Sequence, residues 1–252
     1  GDGVFETLRV YGGTPFAWTR HLERLGASAA GLSLTVPDRA ALRSGAERVV
    51  SANGIGEGRL RITVTGGPSP LGSERGDGPP TVVIAASPVG DWPPAEAVAV
   101  VPWARNELGA TAGLKTISYA ENVRALIYAH ERGASEAIFP NTRGDLCEAT
   151  GSNVFVVRDG AVATPPPASG CLLGVTRALV LELCAALDVP HTEPTLSVDA
   201  LGEADEAFLT SSTREVQAIG RVDDRDLPAA PGPVTKRLDA AFRDLVARDL
   251  DP

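Results

Sequence analysis

Stretches of period-two hydrophobicity and stretches of helical period follow one another along this chain in no regular order, and that irregularity limits the fold more than any other feature. Val4 to Tyr11 alternates apolar and polar residues, Tyr11-Gly12-Gly13-Thr14 supplies a turn, and Pro15 to Trp18 returns, which predicts a β-hairpin. Thr19 is placed to cap a helix whose Leu22, Leu25 and Ala29 share a face and which Gly31 ends. Asp38 caps a second helix carrying Leu42, Ala46, Val49 and Val50, which stops near Gly54. Strands are expected over 59–65 and 81–86. Beyond them come a helix over 120–132 with Val123, Leu126, Ile127 and His130 on one stripe, and strands over 136–139, 153–157 and 161–164. The last two are joined by Asp159-Gly160, the favoured type I′ pair. A helix over 176–187, strands over 207–210 and 215–222, and a final helix after Pro233 complete the order. No strand–helix–strand unit recurs, so the expected class is α+β rather than a doubly wound parallel sheet.

The stretch 87–94, with Pro88, Gly90, Pro93 and Pro94, marks a boundary, and 105–113 continues the link. It divides a small N-terminal α/β domain over 1–90 from a larger C-terminal domain over 91–252. Composition narrows the function. With 43% hydrophobic and 22% charged residues the chain is not a disordered tail, and a net charge of -9 argues against nucleic acid or an anionic lipid surface as partner. Its apolar runs, 81–86 and 179–187, fall far short of the roughly 20 residues that span a bilayer. Cys147, Cys171 and Cys184 are odd in number and far apart, and read as buried thiols in a reducing, cytoplasmic compartment. His21, His130 and His191 have no second ligand at metal spacing, so no metal site is expected. The opening Gly1-Asp2-Gly3, without an initiator Met, reads as a start inside a longer protein.

Familiar signatures fail: Gly54-Ile-Gly56-Glu-Gly58 lacks the third Gly of a dinucleotide fingerprint and leads into a strand, and no phosphate-binding Gly-Lys-Ser/Thr loop exists. Four segments remain. Gly113-Leu-Lys115-Thr-Ile-Ser118-Tyr119 holds one of two lysines in the chain; in a low-dielectric pocket such an amine loses pKa and can form a Schiff base, while the bland reading is a surface lysine before a helix. Leu146-Cys147-Glu148 sets an acid among apolar residues, either part-buried and in need of a cation or solvated in a turn. Gly170-Cys171-Leu172-Leu173-Gly174-Val175-Thr176 opens a helix, either to hold a phosphate or as an ordinary cap. Thr210-Ser211-Ser212-Thr213 is a second phosphate cradle or a plain turn.

An imine-forming lysine, an acid and two phosphate cradles are the parts of a pyridoxal phosphate site. Together with Gly1-Asp-Gly-Val-Phe-Glu6 and His21-Leu-Glu-Arg24-Leu25, these motifs resemble, over nearly the whole chain, the class IV aminotransferases, the fold-type IV pyridoxal phosphate enzymes. The resemblance implies a small N-terminal α/β domain, a larger barrel-like α/β domain, and a homodimer. It implies that Lys115 holds the cofactor and moves the substrate proton, and that Glu148 pairs with the pyridine nitrogen, with Asn153 among the cofactor-binding residues. Arg24, Val175, Thr176, Ser212 and Thr213 would take the phosphate, Tyr119 the 3′ oxygen, and Leu172 would lie against the ring.

One departure stands out. Where D-amino acid aminotransferases and the family's lyase often carry Thr-Arg-Gly, with the Arg on the substrate carboxylate, this strand ends in Thr65-Gly66-Gly67. Arg61 and Arg75 are the candidate replacements. The hydroxyl-rich 210–213 turn resembles the transaminase version of that loop, so the expected activity is amino transfer between a D-amino acid, another amino acid or an (R)-amine and a 2-keto acid. The alternatives are 4-amino-4-deoxychorismate lyase and, in another class, a binding module without catalysis.

Overall fold

In the computed structural model, which describes residues 1–252, the chain gathers into two compact units. The first holds Gly1–Asp91 with Leu114–Tyr119 and Arg248–Pro252; the second holds Trp92–Gly113 and Ala120–Ala247. A single cut near residue 90 does not describe this division. The Lys115 segment lies beyond the cut, yet its backbone pairs with the first strand of the first unit: Phe5 N–H donates to the Lys115 carbonyl at 3.1 Å and Ile117 N–H to the Gly3 carbonyl at 2.9 Å.

The first unit contains β1 (Gly3–Tyr11), β2 (Thr14–Pro15), α1 (Trp18–Gly31), α2 (Arg39–Ala52), β3 (Gly58–Thr65) and β4 (Thr81–Ser87), with an antiparallel sheet in the order β2-β1-β3-β4. Alternation along β1 and β3 turns Val4, Leu8, Val10, Leu60, Ile62 and Val64 into one core with Leu22 and Leu25 of α1 and Leu42 and Val50 of α2. The Asp38 carboxylate caps α2 through the N–H groups of Ala40 and Ala41, as expected. At α1 the sequence reading needs correcting. Its N-cap is Ala17 at φ 50, without a side-chain cap, and Thr19 lies inside the helix with its N–H and hydroxyl on Asp251, so the return strand shrinks to Thr14–Pro15.

The second unit contains β5 (Ala95–Val100), α3 (Ala120–His130), β6 (Glu136–Pro140), β7 (Leu146–Ala149), β8 (Asn153–Arg158), β9 (Ala161–Ala163), α4 (Val175–Ala186), β10 (His191–Thr192), α5 (Asp199–Gly202), β11 (Glu206–Ser211), β12 (Glu215–Val222), β13 (Arg225–Asp226) and α6 (Pro233–Arg248). Its sheet runs β10-β9-β8-β11-β12-β5-β6-β7, with β13 on β12, and mixes parallel and antiparallel neighbours. Residues 150–152 alone join β7 to β8, although the two stand far apart in that order. The sheet must therefore curl until its β7 edge returns beside β8, the barrel-like arrangement of this unit. Asp159 and Gly160 both take positive φ in the β8–β9 hairpin, as the type I′ pair requires.

Four strands, β5, β7 and the two-residue β10 and β13, fall where none was expected, and α3 turns a different face inward. Asn122, Ala125 and Ala129 are its buried residues, while Val123, Ile127 and His130 are exposed. Small residues let the helix lie close against Phe139 and Ala137 of the sheet, which a stripe of larger side chains would hold away.

Candidate active site

In the first unit, three segments meet at the Phe5 ring. Phe5 sits on the face of β1 opposite the core. The Lys115 amine lies 4.5 Å from its centroid, the Arg61 guanidinium 3.8 Å, and the Tyr119 ring meets it edge-on at 5.2 Å. Lys115 is half-buried and held at both backbone groups, its carbonyl by Phe5 N–H and its N–H by the Ser28 hydroxyl at 3.1 Å. Lys236, the other lysine, is exposed on α6. Glycine makes this seat possible: a Cβ on Gly31 would meet Leu114 Cδ1 at 2.6 Å, and one on Gly3 would meet Ile117 Cδ1 at 2.8 Å.

Arg24 reaches from α1 to Glu6 of β1, donating from Nε to Oε1 at 2.8 Å and from Nη2 to Oε2 at 2.7 Å, and His21 Nδ1 lies 2.6 Å from Oε2. Glu6 and His21 are fully buried. Burial alone would raise the Glu6 pKa, but the Arg24 guanidinium and His21 outweigh it and hold the carboxyl at about 2. Burial lowers the His21 pKa against the pull of Glu6, so the imidazole is favoured in its neutral form. Arg75 is engaged elsewhere in this unit: it grips Asp2 through Nε and Nη2 at 2.8 and 2.6 Å and donates to the carbonyls of Ser33 and Leu32. That pair fills the space over Gly66, where a Cβ would come within 2.2 Å of Asp2 Oδ2.

The second unit carries the other group. Glu148 on β7 is buried; Oε2 accepts the Leu172 N–H at 2.9 Å and Oε1 lies 3.5 Å from Arg105 Nε. Arg105 stacks on Phe139 at 4.2 Å and donates to Asn122 Oδ1, whose amide in turn donates to the Thr150 carbonyl. Asn153 Nδ2 donates to the Leu172 carbonyl at 2.8 Å, so Glu148 and Asn153 hold Leu172 by both backbone groups. Gly174 is the N-cap of α4 and offers no side-chain cap, which leaves the helix N-terminus, with Val175 and Thr176 buried in its first turn, to other acceptors. Ser212 and Thr213 lie half-buried between β11 and β12. Trp92 Nε1 donates to the Thr213 carbonyl at 2.8 Å, and Arg214 stacks on the Trp92 ring at 3.9 Å between Glu96 and Glu136.

The structure thus brings Lys115, Tyr119, Arg24 and Arg61 onto the first unit and Glu148, Asn153, Leu172, Val175, Thr176, Ser212 and Thr213 onto the second. The sequence reading passed over Arg105, which it left in a linker, and Trp92 and Arg214, whose stack joins positions far apart in the chain. It quoted Glu6 only inside a motif, although a carboxylate in the apolar register of β1 was a signal in plain view.

Residues 3–222 match the family described as amino-transferase class IV, and the chain belongs to it. A D-alanine aminotransferase of Bacillus licheniformis is 31% identical over 250 residues, 98% of this chain and 88% of that one. Among solved structures, a candidate 4-amino-4-deoxychorismate lyase from Legionella pneumophila superposes with TM-score 0.92 at 25% identity, covering 97% of this chain and 91% of that chain. The T.th. branched-chain amino acid aminotransferase, solved with pyridoxamine 5′-phosphate, gives TM-score 0.90 at 27% identity, covering 97% and 85%. The fold is that of the fold-type IV enzymes, and the protein is a pyridoxal phosphate-dependent class IV aminotransferase. Its side chains suit that cofactor: a half-buried lysine, a buried carboxylate, and a helix N-terminus without a side-chain cap that carries Thr176 in its first turn.

Proposed function

We propose that the chain moves an amino group between a D-amino acid or small (R)-amine and a 2-keto acid, with Lys115 as the residue that bonds the cofactor. The seating of the half-buried Lys115, its amine on the Phe5 ring that Arg61 also meets, is the observation that carries this reading. Pyridoxal phosphate, when bound, supplies a carbonyl that condenses with amines and a ring that draws electrons from the substrate α-carbon. Lys115 would hold the cofactor through Nζ, and the same Nζ would serve as the base that takes up and returns the substrate proton. Glu148 would hold a proton on the ring nitrogen, and Leu172, fixed through both backbone groups by Glu148 and Asn153, would line the ring. Tyr119 would donate to the 3′ oxygen. Arg24, the Val175 and Thr176 end of α4, Ser212 and Thr213 would be the residues that bind the phosphate.

For the substrate carboxylate, Arg61 is the better placed of the two candidates. It shares the Phe5 ring with Lys115, whereas Arg75 is spent on Asp2 and two carbonyls. An exposed arginine stacked on a ring makes a looser clamp than one at Gly66 would, which favours small donors including (R)-amines. The lyase reading keeps one point of support in the 0.92 TM-score likeness to the Legionella protein. We read the working form as a homodimer in the cytoplasm, in keeping with three buried, unpaired cysteines.

Borohydride reduction of the loaded protein followed by peptide mapping is expected to place the cofactor on Lys115; an adduct on Lys236 would reject the assignment. D-alanine or (R)-1-phenylethylamine alone should discharge the visible absorbance and a 2-keto acid should restore it. If those amines and branched-chain L-amino acids leave the spectrum unchanged while aminodeoxychorismate yields 4-aminobenzoate, the lyase reading replaces this one.

A further inference from the structure

We infer that Glu6 is a positioning residue for the cofactor phosphate, acting through Arg24; this rests on the reading of Arg24 as a phosphate ligand. Period two along β1 turns Val4, Glu6, Leu8 and Val10 to one face. Val4, Leu8 and Val10 enter the apolar core, and Glu6 stands in the same row with no exposed surface. A buried carboxylate is costly unless fully paired, and α1 supplies both partners. Arg24 meets Glu6 through Nε and Nη2, the side-by-side arrangement that fixes the plane of a guanidinium, and His21, three residues earlier on α1, closes on Oε2.

Charge by itself gives no reason for this carboxylate. A negative group against a phosphate ligand weakens the pull on a dianion, and the groups that face the cluster, Arg24 on α1 and Lys115 on the neighbouring segment, would attract phosphate more strongly without it. His21, favoured neutral, does not restore the balance. What Glu6 contributes is geometry: an arginine held in one rotamer by a buried partner has less freedom to lose when it binds. The cluster therefore gives up attraction and gains order.

The full chain carrying Glu6→Gln, loaded with pyridoxal phosphate or with pyridoxal, which has no phosphate, separates the possibilities when cofactor loss on dilution is followed by absorbance. Pyridoxal phosphate should leave the variant about tenfold faster or more than the unmutated chain, with pyridoxal release unchanged. Equal loss of both aldehydes would mark a purely structural residue, and tighter retention of the phosphate form would mark a purely electrostatic one; either overturns the inference. Should Glu6→Gln not fold, Glu6→Asp keeps the charge but shortens the reach, and an unchanged ratio of the two release rates in that variant rejects the proposal. An unmutated chain that retains both aldehydes equally removes Arg24 as a phosphate ligand and the inference with it, while Lys115 labelling would still stand. Failure to take up either aldehyde would reject the parent reading as well.

Discussion

Buried charge is concentrated in a few residues, and each has a definite partner. Glu148 accepts from Leu172 N–H and lies against Arg105, so Glu148→Gln keeps the shape of this contact while losing the charge. Cofactor should stay bound and turnover should fall by roughly 10²-fold, about 2.7 kcal/mol of barrier, in steady-state assays; unchanged turnover would remove Glu148 from the chemistry. Glu6 and His21 make folding sensitive to acid. The Glu6 carboxyl, at 4.5 in an ordinary setting and about 2 here, contributes stability that is complete above pH 4.5 and is lost as pH falls from there toward 2. A depressed His21 acts in the same direction: its contribution is complete above 6.5 and declines as pH drops below that value. The midpoint of urea unfolding should therefore fall between pH 6.5 and 4 and more steeply below it, with about 3 kcal/mol at stake from Glu6 once it is fully protonated. A flat profile down to pH 3 would contradict the pairing.

Among the elements, the start of α4 is the most tightly specified. A Cβ at Gly174 would meet Asn153 Oδ1 at 2.1 Å, so Gly174→Ala must push Asn153 off the Leu172 carbonyl or shift the helix N-terminus. A loss of about 1 to 3 kcal/mol is expected by chemical denaturation, with weaker cofactor retention alongside. Much of this was legible beforehand. The Gly turn before α4, the Asp38 cap of α2 and the Asp159-Gly160 hairpin each depend on backbone chemistry local to a few residues, and each stands in the structure as the sequence predicts. α1 and α3 were not legible to the same degree. Thr19 is a good capping residue by type, but a left-handed Ala17 starts the helix and Asp251, near the chain's end, claims the hydroxyl. In α3 the apolar periodicity of Val123 and Ile127 pointed to the wrong face, because close approach to the sheet selects small residues over large ones.

At the scale of the whole molecule, Val123 and Ile127 remain exposed on α3, as do Leu108 and Leu173 in loops of the same unit. A homodimer gives such side chains a place to bury. Sedimentation should report the mass of two chains, and Ile127→Glu should shift it toward one; a single-chain mass at full activity would remove the dimer from the reading. No helix is long and apolar enough to cross a membrane. What the sequence by itself determined was the inventory and its order: an amine, a carboxylate, a glycine-led helix start and a hydroxyl turn, each a matter of residue type and short spacing, which together pointed to the family. Tertiary structure decided the partners. That Lys115 packs with the unit before it in the chain, that Arg105 rather than a nearer cation lies on Glu148, and that Arg75 is tied to Asp2 while Arg61 stands over Phe5 all depend on contacts between distant positions. Local periodicity carries no information about such contacts, because they form only when the strands have paired and the helices have packed.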